Sequence, residues 1–270
     1  MTVRCEDVDL DLKVSEFRIN GFTLIEDVLS AATVDRVREA FLPMLEHVRT
    51  REDGIAPKEW GELRTGYGRQ QMVNRYTLTI PWVPPFADPE VYENSVILEF
   101  LRRYWDRDDF YIKCFHSNNP YPGSEFQPWH RDVELAKEIP HVGLDTCPSI
   151  GVKFPLVDTS EENGSIEVLP SSQYLANPDL EGRYDEVLTQ GSFPSAQRLN
   201  VKKGTMWIQD PRILHRGTPN TSDSPRPEIV VCYTLWWMSI GGPIKVPPET
   251  YDGLSERARE LFQFCSVVDY

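Results

Sequence analysis

The chain has 270 residues and a mass of 31.1 kDa; 40% of its residues are hydrophobic and 11% aromatic, ample for a packed core. A formal charge of −14 and a pI near 4.8 repel polyphosphates and so argue against nucleic acid as a partner. No apolar run is long enough to span a membrane or resembles a secretory signal, and the five cysteines form no CxxC pair, so the expected setting is the cytoplasm with reduced thiols.

The segment "GFTLIED" (residues 21–27) reads as a strand. A helix follows, with Ser30 as N-cap and Val34, Val37, Phe41 and Leu45 at helical spacing; Pro43 inside it predicts a kink or an early end. Residues 51–75 are charged and carry glycines, and read as a long loop. A second helix is expected from Asp88 as cap and Pro89 in the first turn, with Val91, Val96, Phe100 and Leu101 as its apolar face. From residue 109 onward short strand-like runs follow in series: "FYIKCF", "PWHRDV", "SIGVKFPLV", "SIEVLP", "LNVKKGTMWIQ" and "EIVVCYTLWWM". Turn clusters separate them, and the Asn163-Gly-Ser and Asn220-Thr-Ser triplets belong to that turn chemistry rather than to glycosylation. Many short strands with 22 prolines and 16 glycines favour a sandwich, barrel or jelly roll. "SERARELFQF" closes the chain as a short helix. One domain is expected: a helical part over about 1–108, a β core over about 109–240 and a C-terminal helix over about 254–264. The unpatterned stretches 51–75 and 171–198 are candidate lids.

Within "EFQPWHRDVE", His130 and Asp132 are two positions apart. On a strand, residues i and i+2 share a face, roughly 6–7 Å apart, so an imidazole and a carboxylate can converge on one ion. His215 in "DPRILHRGTPN" is the natural third ligand, which gives the two-histidine, one-carboxylate arrangement that holds non-heme Fe(II) and leaves three positions open. A solvated turn histidine, a capping aspartate and a strand-end histidine would explain the same letters. Arg226, between Pro225 and Pro227, is placed to clamp the distal carboxylate of a chelating keto acid through two parallel hydrogen bonds; a surface arginine in a proline-rich turn is the plainer reading. Lys113 and Gln127 enter the same mouth and are candidate contacts for co-substrate or substrate. Trp129 points to the opposite face as packing, and His116 and His141 read as structural or surface residues.

The "WHRD" segment, "ENGSIEVLPSS", "KKGTMWIQDPRILHRG" and Arg226 in "SDSPRPEIVVCYT" together resemble the phytanoyl-CoA dioxygenase family of Fe(II)- and 2-oxoglutarate-dependent oxygenases. The resemblance implies a mainly β protein with flanking helices around a double-stranded β-helix (jelly roll, cupin-like) core. It implies iron held by His130, Asp132 and His215, 2-oxoglutarate anchored by Arg226 with a weaker hydrogen bond from Thr218, and O₂ as the oxidant. The expected reaction is hydroxylation, desaturation or rearrangement of a small molecule in a biosynthetic pathway, with release of succinate and CO₂. The carboxylate at 132 argues against halogenation, which needs that position vacant for halide. A non-catalytic jelly-roll binding protein and a cupin-like metal enzyme of another type are the alternatives.

Overall fold

A computed structural model describes residues 2–50, 67–132, 146–174, 183, 186, 191–238 and 243–268. Its centre is a seven-stranded antiparallel sheet in the order β1-β8-β5-β10-β4-β3-β2. These strands are β1 (Phe22–Ile25), β2 (Tyr67–Met72), β3 (Arg75–Thr79), β4 (Phe110–Pro120), β5 (Ser149–Pro155), β8 (Met206–Gln209) and β10 (Glu228–Leu235). A three-stranded sheet, β7 (Gln197–Arg198), β6 (Glu167–Val168) and β9 (His215–Arg216), is the second sheet of the jelly roll. A short parallel pair, β11 (Lys245–Val246) with β12 (Ser266–Val267), lies near the C-terminus.

The large sheet owes its two faces to side-chain alternation. Along β10, Ile229, Val231 and Tyr233 point into the main apolar core, together with Ile150, Val152 and Phe154 of β5 and Ile112 and Phe115 of β4. Helices α1 (Leu10–Asn20), α2 (Ala31–Thr50) and α4 (Ser95–Trp105) supply the other half of that core through residues such as Phe17, Phe41 and Phe100. The short helices α3 (Pro89–Tyr92), α5 (Pro248–Asp252) and α6 (Glu256–Leu261) complete the helical cover.

Several elements differ from the sequence expectations. Helix α1 was not foreseen, although Asp9 caps it by accepting from the Leu12 amide, Leu10, Val14 and Phe17 are buried at helical spacing, and Gly21 ends it at φ +81°. Helix α2 runs through Pro43 to Thr50, because Phe41, Leu45 and Val48 are anchored on both sides of the lost ladder bond. Part of the expected 51–75 loop is the β2–β3 hairpin; residues 51–66 lie outside the described residues, as do 133–145 and half of the 171–198 insertion. The "PWHRDV" segment is not a regular strand. It follows residues 211–217 through single contacts, with Gln127 N to Gly217 O at 2.9 Å, a mutual His130–His215 pair at 3.1 Å and Asp132 N to Pro211 O at 2.9 Å. The Asn163 turn is built as expected: its Oδ1 accepts from the Ser160 amide and Gly164 follows at φ +82°.

Candidate metal centre and its pocket

The backbone pairing of 130 with 215 brings the two imidazoles side by side, with ring centroids 4.4 Å apart and planes tilted by 50°. Each ring is oriented through Nδ1. That of His130 donates to the Pro128 carbonyl at 2.8 Å, and that of His215 donates to the Ile213 carbonyl at 3.0 Å. A carbonyl can only accept, so both protons sit on Nδ1 and both Nε2 lone pairs are left for a metal. Asp132 Oδ1 lies 3.5 Å from His215 Nε2 and 3.9 Å from His130 Nε2. Two ligands at right angles on an ion about 2.1 Å away would be about 3 Å apart, so small rotations of these side chains close the set. All three donor atoms lie within 4.8 Å of one another.

Protonation favours the same use. Burial, reinforced by the His215 ring, pushes the His130 imidazole down to about 4, which keeps it neutral and able to bind a metal. Burial alone would raise Asp132, but His215, Lys153 and His130 outweigh it and hold the carboxyl well below the usual range. The site therefore presents a neutral His130 imidazole, the His215 ring and one carboxylate, a donor set that fits Fe(II).

The centre opens into a cavity of about 350 Å³ whose floor is the inner face of the large sheet. The registers arrange that floor in rows. One row is Gln209, Gly151, Cys232 and Cys114, and the next is Trp207, Lys153, Val230 and His116. A third pairs Glu228 with Asn118. Lys153 is buried, donates to Gln209 Oε1 at 2.5 Å and lies 4.1 Å from the centre of the Trp207 ring. The side-chain amide of Gln209 is in turn 2.8 Å from His215 Nδ1, so Gln209 stands between the lysine and the candidate metal centre. Burial lowers the pKa of Lys153.

Arg226, at the far end of β10 from Cys232, is buried and lines this cavity. One of its terminal nitrogens is 3.5 Å from the Glu228 carboxylate, which also accepts from Trp207 Nε1 at 2.8 Å. Its Nε is buried and has no hydrogen-bond partner among the described residues. An unsatisfied buried guanidinium donor costs free energy, and a carboxylate entering the cavity would supply the missing acceptor. Gln127 and Lys113 also line the cavity. Gln127 accepts from the Gly217 amide at 2.8 Å, and a Cβ at Gly217 would sit 2.4 Å from the Arg75 guanidinium, so a larger residue there would displace that side chain. Lys113 is the extra residue of a bulge in β4, between the Cys232–Cys114 and Tyr233–Ile112 pairs.

Thr218 is a correction. It is fully buried away from the cavity, donates to the Ser165 carbonyl at 2.8 Å and accepts from Arg198 at 2.6 Å, so it braces the wall instead of facing a co-substrate. His116 is another, because it faces the cavity beside Cys114 and Cys232. Arg75, assigned to a surface loop by sequence, is a buried wall residue that donates to the Glu125 and Thr218 carbonyls, and burial beside Arg226 pushes it down to about 10. Trp129 packs on Leu169 and Leu214 as expected, and His141 lies outside the described residues. Lys153 and Glu228 escaped sequence reading because each sits inside a strand-like run without a motif of its own. For Lys153 and Glu228 the available signal was a charged residue at an inward position of an otherwise apolar strand.

Two facing antiparallel sheets with a His-x-Asp and a distant histidine at their mouth define a jelly roll with a candidate metal site. The profile of the phytanoyl-CoA dioxygenase (PhyH) family matches residues 17–227, and the chain belongs to that family of oxygenases. A curated relative, L-proline trans-4-hydroxylase of Streptomyces griseoviridis, is 25% identical over 143 residues; the match spans 44% of this chain and about half, 52%, of that protein's length. Among solved structures, the α-ketoglutarate-dependent carbocyclase SnoK from nogalamycin biosynthesis superposes with a TM-score of 0.63 at 20% identity, over 87% of each chain. AviO1 from Streptomyces viridochromogenes Tue57 gives 0.60 at 18% identity, over 86% of this chain and 98% of that one. These likenesses establish the shared fold. No helix among the described residues is long and apolar enough to cross a membrane.

Proposed function

We propose that the protein is an Fe(II)- and 2-oxoglutarate-dependent oxygenase acting on a polar small molecule. The observation that carries this reading is the union, in one cavity, of a preoriented His130–Asp132–His215 donor set with a buried Arg226 whose Nε has no acceptor among the described residues. With iron bound, the centre would supply O₂ activation coupled to decarboxylation of the keto acid to succinate and CO₂.

The chain's own residues have distinct tasks in this scheme. Pro128 and Ile213 fix the imidazole tautomers. Arg226 receives the distal carboxylate, and Glu228 beside it sets the guanidinium orientation while holding Trp207. Lys153 adds positive charge between the two ends of the co-substrate. Arg75, Gln127 and Lys113 line the remaining wall, and their polarity favours a hydrophilic substrate over a lipid chain. Asp132 occupies the position a halide would need, which favours hydroxylation, desaturation or rearrangement. The proline hydroxylase and carbocyclase among its relatives support an oxidative reaction on a small biosynthetic molecule.

The test is O₂- and Fe(II)-dependent conversion of 2-oxoglutarate to succinate, followed across a panel of amino acids and sugars. Stimulation by one class, with an oxidised product in a one-to-one ratio to succinate, is the expected result. Iron binding without any 2-oxoglutarate binding would overturn the reading.

A further inference from the structure

A second donor set lies in the same cavity. Cys114 and His116 are at positions i and i+2 of β4, so they share its inward face, and Cys232 stands directly opposite Cys114 on β10. The His116 Nδ1 is 3.7 Å from the Cys114 sulfur and 3.9 Å from the Cys232 sulfur, and the three donor atoms lie within 4.8 Å of one another. On these distances we propose that Cys114, His116 and Cys232 form a binding site for a thiophilic divalent cation of the Zn²⁺ class, distinct from the iron centre.

Geometry is the main support. A tetrahedral zinc with sulfur about 2.3 Å away and nitrogen about 2.0–2.1 Å away holds those two donors about 3.5–3.6 Å apart. The observed separations exceed this by only a few tenths of an ångström. The three side chains are half-buried and face a polar cavity, unlike cysteines used for packing, such as Cys147, which is fully enclosed. The donors are soft, whereas those of the iron centre are imidazole and carboxylate, so the two sites select different metals.

Position gives the site a consequence. In the first row of the floor, Gly151 separates Cys232 from Gln209, whose amide touches His215. That glycine leaves the floor open between Cys232 on β10 and Gln209 on β8, two strand spacings, roughly 10 Å, apart. A cation on the thiol site would present its fourth coordination position to the space that a substrate enters beside the iron. It would therefore either hold a donor atom of the substrate or block it, and turnover would respond to zinc in both cases.

The experiment is a Co²⁺ titration of the fully reduced, metal-free protein, read by absorption. The expected result is two equivalents bound, one of which gives a sulfur-to-cobalt charge-transfer band. Cys114→Ser and Cys232→Ser should each remove that band and weaken the site by more than the about 10–100-fold that losing a supporting partner costs. Asp132→Ala should remove the other equivalent and leave the band intact, so failure of the iron reading and failure of this one remain distinguishable. If a serine variant does not fold, His116→Gln, with the folded state checked by circular dichroism, takes its place. A wild-type protein without the band, a band that survives in all three variants, or a protein isolated 2 Da lighter as a Cys114–Cys232 disulfide that binds no cobalt after reduction would overturn the proposal.

Discussion

The outer and inner faces of the seven-stranded sheet are made by the same strands and carry opposite chemistry. On the outer face Ile229, Val231 and Tyr233 of β10 meet the helices in a dry core. On the inner face Arg226, Glu228 and Cys232 alternate with them and look into a polar cavity. The strand period of two thus lets one element serve stability and chemistry at once, with each job confined to alternate residues. Substitutions on the two faces should then separate cleanly into those that unfold the protein and those that disarm it.

The largest effect is expected from Asp132→Ala. It should lower iron affinity and turnover by at least about 100-fold, beyond the usual cost of losing a supporting partner. The melting temperature should barely move, because the side chain is 48% exposed. Iron content after dialysis, succinate release and a thermal melt check the three parts. Ile229→Ala, on the outer face, should cost about 2–5 kcal/mol in urea unfolding while leaving 2-oxoglutarate affinity of the folded fraction unchanged. A comparable loss of affinity in that variant would break the separation between the faces.

Arg226→Lys sharpens the inner half of the comparison. It keeps a positive charge beside Glu228 but loses the planar fork, so 2-oxoglutarate affinity should fall about 10-fold or more with little change in stability. The smallest expected effect is a titration. The His130 ring, pushed down to about 4 by burial, should show its midpoint by NMR in the metal-free protein well below the ordinary 6.5. Between those values the unfolded chain takes up a proton that the native ring does not. The ring's contribution to stability is therefore complete above pH 6.5 and lost as the pH falls through about 4. A midpoint near 6.5 would mean that the ring is open to solvent.

How much of this was legible in the sequence follows from what kind of signal each feature leaves. The metal ligands could be read because i, i+2 spacing has a direct geometric meaning, and His215 was the histidine that a returning strand could deliver. Yet the geometry that actually joins them is an isolated bridge between irregular segments, which no periodicity reports. Arg226 was legible as an arginine after the distal histidine, whereas its partner Glu228 was hidden within a run that reads simply as a strand. Thr218 was misplaced because proximity in sequence to a ligand says nothing about which side of the chain a side chain leaves. Arg75, in the candidate lid 51–75, and His116, read as structural or surface, join the cavity wall only when β3, β4 and β10 come into register, a long-range event.

In the proposed enzyme, one cavity receives both the iron and the distal carboxylate of its co-substrate. The most direct measurement is an anaerobic titration of the Fe(II)-loaded protein with 2-oxoglutarate, following the visible charge-transfer band given by a keto acid chelated to Fe(II). Such a shared cavity predicts a saturable band in the wild type, none in Asp132→Ala, and a band in Arg226→Lys that saturates only at about 10-fold or more higher 2-oxoglutarate. A wild-type protein that binds iron but gives no band, or equal saturation in wild type and Arg226→Lys, would contradict it.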